Sequence, residues 1–570
     1  MVKKVIAIMI VAMLCFSIVA CATPDAAPAD PSGGGATDSA AADTNAGGAA
    51  DSGTAAAPAE VTRERTLVWT VPQLPPGHDL HRNAIFQTME LNNNIFQTAL
   101  IYPPIQDPDG SGFLIPDFNN PIGALAESWD VSDDGLTVTV KLKEGLLSSH
   151  GNELTADDWV YNVNRHTILF GVDGWVNNSF RVSDPDTQYQ VLDRYTFSIT
   201  TENPNPIALA MLAHPSVFMI DSVAYAEFEG DPLSAEGARW STMEGAGHGA
   251  YVVDTWTPGD NVVLVPNPNY WNTDAPRYFE KVIYQEVPSS SSRLALVLSG
   301  DADAATGLTP AELREAEGHP GVKAMSWRSN ILTRIGFNNT IEPFNDPEVR
   351  RALMFAVPYD EILETVYMGT ATQMRSIVPS AYPLYTGEFF NFELDYDRAK
   401  ELLAEAGWAD GFSTTLTYET GIPQFEQIAI IVRDSLSNIG IDVTLENVQP
   451  ADFWSIGYEG AFAGMYIFQD MPGTVDGAFA YNLWLQEGIR PNFCRYYNEE
   501  AERLFVEAMS TIDQGVRARN ITRIQEITVW EDPAWILIAE PGFHLVVREE
   551  IEGLAWNTLQ QIIWAHAYRR

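Results

Sequence analysis

The chain has 570 residues, of which 46% are hydrophobic and 11% aromatic, and a formal net charge of −43 at pH 7. This length suits two or three domains, and the apolar content is enough for a large packed core. The negative charge and the lack of a basic stripe exclude nucleic acid as a partner, and three cysteines are too few for a disulfide framework.

Residues 1–20 are predicted to be a signal peptide. Two lysines precede an uncharged apolar run, 5–20, whose sixteen residues fall short of the roughly 20 needed to span a bilayer. The run ends in "IVAC", closing at Cys21, which resembles the lipobox of bacterial lipoproteins. That resemblance implies that Cys21 is lipidated and becomes the first mature residue. The alternative is an ordinary signal peptide with an incidental cysteine.

Residues 22–60 are dominated by Ala, Gly, Ser, Asp and Pro and have almost no aromatic or branched apolar side chains. Such a composition cannot bury enough surface to order itself. With Cys21, this segment is predicted to be a disordered linker whose 39 residues reach about 35 Å.

The first clear elements are a hairpin and a helix. In "LAESWDVSDDGLTVTVKLKEG" (125–145), apolar residues alternate on both sides of an Asp-Asp-Gly turn. A helix capped at Thr155 is predicted next, with two aspartates in its first turn. "GAYVVDTWTPGDNVVLVPNPNYW" (249–271) predicts two further strands joined at a Pro-Gly-Asp turn.

Helices and strands then alternate, which indicates α/β layers. A strand and a helix ending at Gly300 are predicted within 280–303. Asp346 and the following proline begin a helix that stops at Pro358. Two more amphipathic helices are predicted in 395–408 and 427–439, the second followed by a strand.

These blocks, in this order, resemble the extracellular solute-binding proteins of family 5, the peptide, nickel and oligosaccharide receptors of ABC importers. The matching stretches extend over roughly Leu67 to Leu554 and include "RLALVLSGDAD", "GFNNTIEPFNDPEVRRALMFAVPYDEIL" and "YDRAKELLAEAGWADGF". The resemblance implies an α/β fold of the two-lobed periplasmic-binding-protein type (class II), with an additional domain (cluster C). It also implies no catalytic activity and no cofactor.

Three domains follow from the resemblance. Domain I would be built from 61–103, 239–332 and 536–570, domain II would be 104–238, and domain III would be 333–535. Two chain crossings would form the hinge, and the ligand would be buried between the lobes.

The resemblance also implies a ligand site. In peptide-binding members an aspartate before a Pro/Asp-rich loop pairs with the ligand ammonium, and "MYIFQDMPGTVDG" places Asp470 at that position. A loop aspartate that caps its own turn is the alternative. Tyr418, Trp454, Tyr466 and Trp484 lie on segments that line the cleft in relatives, although residues of this type are more often core residues than ligand contacts. The loop "ETGIPQFEQ" lacks the arginine of dipeptide receptors, which puts a dipeptide-specific clamp in doubt.

Signals for other chemistry are weak. No HExxH, P-loop or G-x-S-x-G motif is present. "HDLH" with His78 and His81 leaves nickel uptake open, and "DPDGSG" (107–112) is better explained as a turn than as a calcium loop. No metal site is therefore predicted. Cys494 is expected to be a small buried hydrophobe.

The resulting hypothesis is a monomeric, lipid-anchored receptor on the extracytoplasmic face of the cell membrane. It would capture an oligopeptide by hinge closure and hand it to an ABC permease, touching the membrane only through its anchor. Oligosaccharide capture is the alternative within the family. A sensory or chaperone binding protein without a permease, and an enzyme on this scaffold, are the alternatives in other classes.

Overall fold

A computed structural model describes Thr62–Arg570, apart from residues 80, 83–85, 109, 111, 173 and 489–491. The predicted signal peptide, the lipidated Cys21 and the linker lie outside the described residues. In the described part of the chain, no helix combines the length and the apolar character that a bilayer crossing requires.

The strands are short except for one of fourteen residues near the C-terminal end. They are β1 (Thr66–Val71), β2 (Leu100–Ile101), β3 (Pro104–Gln106), β4 (Leu114–Pro116), β5 (Ile122–Gly123), β6 (Ala126–Val131), β7 (Thr137–Leu142), β8 (Tyr189–Asp193), β9 (Thr196–Thr200), β10 (Tyr251–Thr257), β11 (Asn261–Pro266), β12 (Lys281–Glu286), β13 (Ala304–Thr306), β14 (Val322–Arg328), β15 (Leu332–Phe337), β16 (Ala371–Gln373), β17 (Phe412–Glu419), β18 (Ile441–Val448), β19 (Met465–Asp470), β20 (Trp535–Arg548), β21 (Ile551–Glu552), β22 (Ala555–Trp556), β23 (Ile562–Ile563) and β24 (Tyr568–Arg569).

Helices separate most of these strands. They are α1 (Phe86–Ile95), α2 (Ala156–Phe170), α3 (Trp175–Phe180), α4 (Pro185–Gln188), α5 (Ala208–Leu212), α6 (Ser222–Ala224), α7 (Ala235–Met243), α8 (Ser290–Ser299), α9 (Pro310–Ala316), α10 (Pro347–Phe355), α11 (Tyr359–Thr365), α12 (Tyr396–Glu405), α13 (Pro423–Ser437), α14 (Pro450–Glu459), α15 (Phe479–Trp484), α16 (Glu499–Met509) and α17 (Gln514–Glu526).

The elements predicted from local patterns are confirmed. β6 and β7 form the antiparallel hairpin, and β10 and β11 form the second strand pair. Thr155 begins α2, where its backbone N–H donates to the Asp158 carboxylate at 2.7 Å. Asp346 caps α10 by accepting from the N–H of Glu348 at 2.9 Å. These elements formed as expected because their start and stop signals are local.

A twelve-stranded sheet organises the molecule, and β20 lies at its centre. The strand order is β10-β11-β12-β1-β13-β20-β15-β19-β17-β18, and β14 and β16 also pair with β20. The N-terminal part of β20 pairs with β15 and β16, whereas its C-terminal part pairs with β13 and β14. One strand therefore joins two halves of the sheet.

The four-stranded sheet β6-β7-β9-β8 stands apart from the large sheet. Its inner face packs against α2, where Trp159 stacks on Phe197 at a ring separation of 4.7 Å. The largest apolar cluster draws on residues 99–219 and also on 332–539, while a second cluster fills the half of the sheet that contains β1 and β12. The first cluster brings the 104–238 segment against the β15–β19 half.

Candidate functional site

Asp470 is the last residue of β19, at the edge where the strand leaves the sheet. Because side chains alternate along a strand, Tyr466, Phe468 and Asp470 lie on the same face. The antiparallel register with β15 places Arg334 opposite Phe468 and Leu332 opposite Asp470. The sheet thus presents a carboxylate and a guanidinium on one face.

The Asp470 carboxylate is partly exposed and has two donors in its own half of the molecule. The N–H of Met471 donates to Oδ1 at 2.7 Å, and Nε1 of Trp484 donates to Oδ2 at 3.4 Å. Burial raises the pKa of Asp470, and the positive charge of Arg334 works against that rise. A partly desolvated carboxylate with spare acceptor capacity can receive a cationic or hydrogen-bonding ligand group.

Arg334 is a charged residue beside Asp470 that sequence reasoning missed. It is 2% exposed, and its guanidinium lies over three aromatic rings, at 4.1 Å from Trp484, 4.4 Å from Trp535 and 4.7 Å from Phe468. Burial lowers its pKa to about 10, so it stays charged near neutrality. No local pattern marks this arginine, because its partners are on three other elements.

Trp484 ends α15 and is buried, with its ring packed edge-on against Trp535 at 5.9 Å. It touches both Asp470 and Arg334. Of the four aromatic residues predicted to line the site, it is the one in hydrogen-bond contact with the carboxylate.

Tyr466 and Trp454 lie in an adjoining aromatic cluster. Tyr466 is buried, stacks on Phe462 at 4.2 Å, and covers the space above Gly336, where a Cβ would lie 2.2 Å from the tyrosine ring. Trp454, on α14, is partly exposed and packs against Phe468 at 5.5 Å. Tyr466 is thus packed inside the aromatic cluster, and Trp454 contacts Phe468, which lies two residues before Asp470 on β19.

Tyr418 lies elsewhere. On β17 it is a neighbour of Thr417, which pairs with Tyr466, so the tyrosine points to the opposite face of the sheet. Burial raises the pKa of its phenol, and the charges that act on it belong to Glu426 and Arg433 of α13. The structure does not bring Tyr418 together with Asp470.

The loop that follows Asp470, residues 471–477, lies against the other half of the molecule. The hydroxyl of Thr474 donates to Sδ of Met211 at 3.4 Å, and a Cβ on Gly473 would lie 3.0 Å from Nε2 of His214. On its own side, the Pro472 carbonyl accepts from the hydroxyl of Tyr382 at 2.6 Å. The loop therefore links the Asp470 site to the 104–238 segment.

A second charged cluster is fully internal. Arg165 donates to Asp79 at 2.6 Å and to Glu229 at 2.5 Å, and His81 Nδ1 lies 2.8 Å from the same guanidinium. Burial lowers the pKa of His81, and that of His78 falls to about 4 for the same reason. These histidines are packing residues beside an ion triad, which leaves them poorly placed to capture nickel.

Other motifs have plain structural positions. The turn at 245–250 precedes β10, and His248 within it is buried. Cys494 is buried, as predicted. Asp109 and Ser111 of the possible calcium loop lie outside the described residues, and among those that are described no group of three metal-ligating side chains occurs.

Comparison with known proteins defines the class. The profile "Bacterial extracellular solute-binding proteins, family 5 Middle" matches residues 120–492. The chain belongs to this family and is an extracytoplasmic solute-binding receptor of ABC transport rather than an enzyme. Its fold is the α/β periplasmic-binding-protein fold with two lobes and an additional domain.

Individual relatives are distant. The chain is 26% identical over 447 residues to the "Probable D,D-dipeptide-binding periplasmic protein DdpA" of Escherichia coli K12, covering 78% of this chain and 83% of the relative. It is 26% identical over 422 residues to "Glutathione-binding protein GsiB" of Escherichia coli O1:K1, covering 72% and 79%. The Helicobacter pylori protein DppA, solved with the peptide STSA, shares the fold with a TM-score of 0.72, 23% identity, and coverage of 88% and 98%.

Proposed function

We propose that this receptor captures an oligopeptide between its lobes and delivers it to an ABC permease. The observation behind the proposal is the Asp470 carboxylate, which is partly desolvated, still has acceptor capacity, and is followed directly by a loop that contacts the other half. An ammonium group would offset the cost of burying this carboxylate. The relatives named for dipeptide and glutathione binding support a peptide ligand.

The direct test is peptide affinity in the Asp470→Asn variant. Thermal shift and native mass spectrometry against a peptide panel would first identify a binder, and calorimetry would then measure both proteins. Removing one partner of a buried charge pair costs about 2–5 kcal/mol, so Asp470→Asn is expected to weaken binding at least tenfold.

Asp442→Asn is the matched control, because Asp442 is an exposed carboxylate on β18. It should bind like the parent chain. Unchanged peptide affinity in Asp470→Asn would show that the ammonium contact is wrong.

Oligosaccharide capture is the second candidate, and the aromatic cluster around Phe468 favours it. Trp454 is partly exposed there and could stack on a sugar ring. A sugar panel run beside the peptide panel separates the two. Stabilisation by sugars without any response to peptides would overturn the peptide proposal.

We place the hinge at two chain crossings. One is the link between β14 and β15, residues 329–331, and the other is the part of β20 where its partners change, near Pro541. Ser329 Oγ donates to the Pro541 carbonyl at 2.5 Å, which ties the crossings together. With this hinge, the proposed boundary of domains I and III stays at 332/333 beside the first crossing, and the proposed boundary at 535/536 lies instead at about residue 541.

Membrane attachment through Cys21 remains part of the proposal, as does a monomeric state. Metabolic labelling with a radioactive fatty acid should mark the parent chain and leave Cys21→Ser unlabelled. Equal labelling of both would rule out the anchor. Co-purification with permease subunits would distinguish an importer receptor from a sensory or chaperone binding protein.

A further inference from the structure

We infer that Arg334 is a positioning residue for the ligand site, acting on Asp470 both through Trp484 and through its own charge. The inference rests on the proposed function of Asp470, because it states how the Asp470 carboxylate is kept ionised and held in a fixed orientation. It predicts that the specificity of this receptor for cationic ligand groups depends on a residue that does not itself contact the ligand.

Trp484 is the physical link between the two charges. Its ring lies 4.1 Å from the Arg334 guanidinium, while its Nε1 donates to Asp470 Oδ2 at 3.4 Å. A cation over an indole ring fixes the plane of that ring, because the attraction acts on the ring face. The fixed ring then holds its single N–H toward the carboxylate.

Asp470 is the negatively charged group among the titratable side chains that act on Arg334. The groups that act on the guanidinium are Asp470, the phenol of Tyr466 and the thiol of Cys494. Burial raises the pKa of both the phenol and the thiol, so these two are neutral near pH 7. Asp470 is the anion of this set.

Arg334 lacks a conventional ion pair in the described part of the chain. Its Nη1 donates to the Leu332 carbonyl at 3.1 Å, and three rings cover the guanidinium. Three groups stabilise the charged form of Asp470: the positive charge of Arg334, and the hydrogen bonds from the N–H of Met471 and from Trp484. A guanidinium that is buried without a bonded carboxylate contributes little to the stability of a fold, because a hydrocarbon side chain would fill the same aromatic pocket at a lower desolvation cost. Stability alone therefore does not explain an arginine at position 334.

The test follows the ionisation of Asp470 in the full chain without any ligand. Aspartate labelled with 13C at the carboxyl group gives an NMR signal for Asp470, identified as the one lost in Asp470→Asn. In Arg334→Met, which keeps an unbranched side chain but no charge, the pKa of Asp470 is expected to rise by at least about one unit. In Arg334→Lys, which keeps the charge, the rise should be less than half as large.

Two outcomes would overturn the inference. An unchanged Asp470 titration in Arg334→Met would show that the guanidinium does not act on the carboxylate. Equal rises in the Met and Lys variants would show a packing role alone.

Trp484→Phe provides a second variant if Arg334→Met does not fold. It keeps a ring over the guanidinium and removes the N–H, so the pKa of Asp470 should rise by a smaller amount. No change in this variant would refute the route through Trp484.

A ligand experiment then separates this inference from the proposed function. Trialanine with a free amino terminus is the probe, titrated by calorimetry between pH 5 and 8. Arg334→Met should lose affinity toward pH 5 several-fold more steeply than the parent chain, because its Asp470 becomes protonated. If the NMR shift occurs but the parent chain binds no peptide of the panel, Arg334 still positions Asp470 and the peptide assignment is what fails.

Discussion

Three buried ionisable groups in this protein have three different environments, each set by the immediate neighbours. Arg165 is paired bidentately with Glu229 and also with Asp79, and these contacts hold the pKa of Asp79 well below its usual range. Arg334 is covered by aromatic rings. Glu90 has neither arrangement: it is 3% exposed on α1, burial raises its pKa to about 8, and a hydrogen bond with the Tyr284 side chain only partly opposes that rise.

Replacing Glu90 by glutamine should therefore stabilise the fold at alkaline pH. The folded-state pKa of Glu90 lies above its ordinary value of 4.5, so the parent chain loses stability as pH rises from about 4.5 to 8. Glu90→Gln does not undergo this loss and should be more stable by about 1–3 kcal/mol at pH 8.5 and nearly equal to the parent at pH 4.5. Urea unfolding at the two pH values measures the difference.

Glu364→Gln is the control for that experiment, because Glu364 is exposed on α11. It should shift the unfolding free energy equally, and only slightly, at both pH values. A Glu90→Gln protein whose gain is the same at pH 4.5 and 8.5 would show that the carboxyl is not the titrating group.

At the scale of elements, the connection between β19 and α15 is the most informative segment. β19 ends at Asp470, and the loop 471–477 that follows contacts Met211 and His214. α15 then places Trp484 in hydrogen-bond contact with the Asp470 carboxylate. Gly473 lies where this loop meets the His214 ring. The proposed ligand contact and the contact between the two halves are thus placed within a few residues of one another.

Gly473→Val is expected to weaken ligand binding without unfolding the protein. A Cβ at this position would lie 3.0 Å from His214 Nε2, and the larger side chain would overpack the contact by about 1–3 kcal/mol. That corresponds to a loss of affinity of roughly five- to a hundredfold. Calorimetry with the identified ligand measures the loss, and far-ultraviolet circular dichroism checks the fold.

The second substitution His214→Ala serves as the control, because it removes the ring that the valine would meet. Adding it to Gly473→Val should recover most of the lost affinity. Parental affinity in the single variant would mean that this contact does not form when ligand binds.

Local patterns predicted the elements but only part of the site. The β6–β7 hairpin, the α2 cap and the α10 start depend on residues within a few positions of one another, so one sequence suffices to place them. Asp470 was predicted through family resemblance and stays a prediction. Arg334 and His214 could not be predicted, because the contacts that make them candidates arise only when β15 and the 104–238 segment are brought against the β19–α15 connection. Tyr418 is the opposite case, because it was predicted for the site and lies away from it. It is one residue along β17 from Thr417, which pairs with Tyr466, so its side chain points to the other face of the sheet.

At the scale of the whole molecule, the two halves are joined at two chain crossings, and they also touch away from these crossings. The chain crosses between halves at residues 329–331 and along β20, where Asn330 Nδ2 donates to the Thr558 carbonyl at 3.0 Å. Away from these crossings, the loop 471–477 supplies the contact with Met211. A ligand that binds only when this contact forms would shift the population toward the closed arrangement.

A disulfide across the contact should hold the halves together and slow ligand exchange. Thr474 Oγ1 and Met211 Sδ are 3.4 Å apart, so cysteines in the double variant Met211→Cys and Thr474→Cys would face each other across this contact. The sulfur at position 211 would lie one bond nearer the backbone than Sδ does, so closing the bond requires a small approach of the loop 471–477, and mass spectrometry of the oxidised protein checks that it forms. Oxidation is expected to reduce the dissociation rate of bound ligand at least tenfold, because release requires the halves to separate. Stopped-flow displacement of a fluorescent peptide measures this rate, and reduction should restore the parental value.

Each single-cysteine variant is a control, and its dissociation rate should change with neither oxidation nor reduction. Rapid release from a fully cross-linked protein would show that the ligand leaves by a route that does not require opening between Met211 and Thr474, and the hinge proposal would then be wrong.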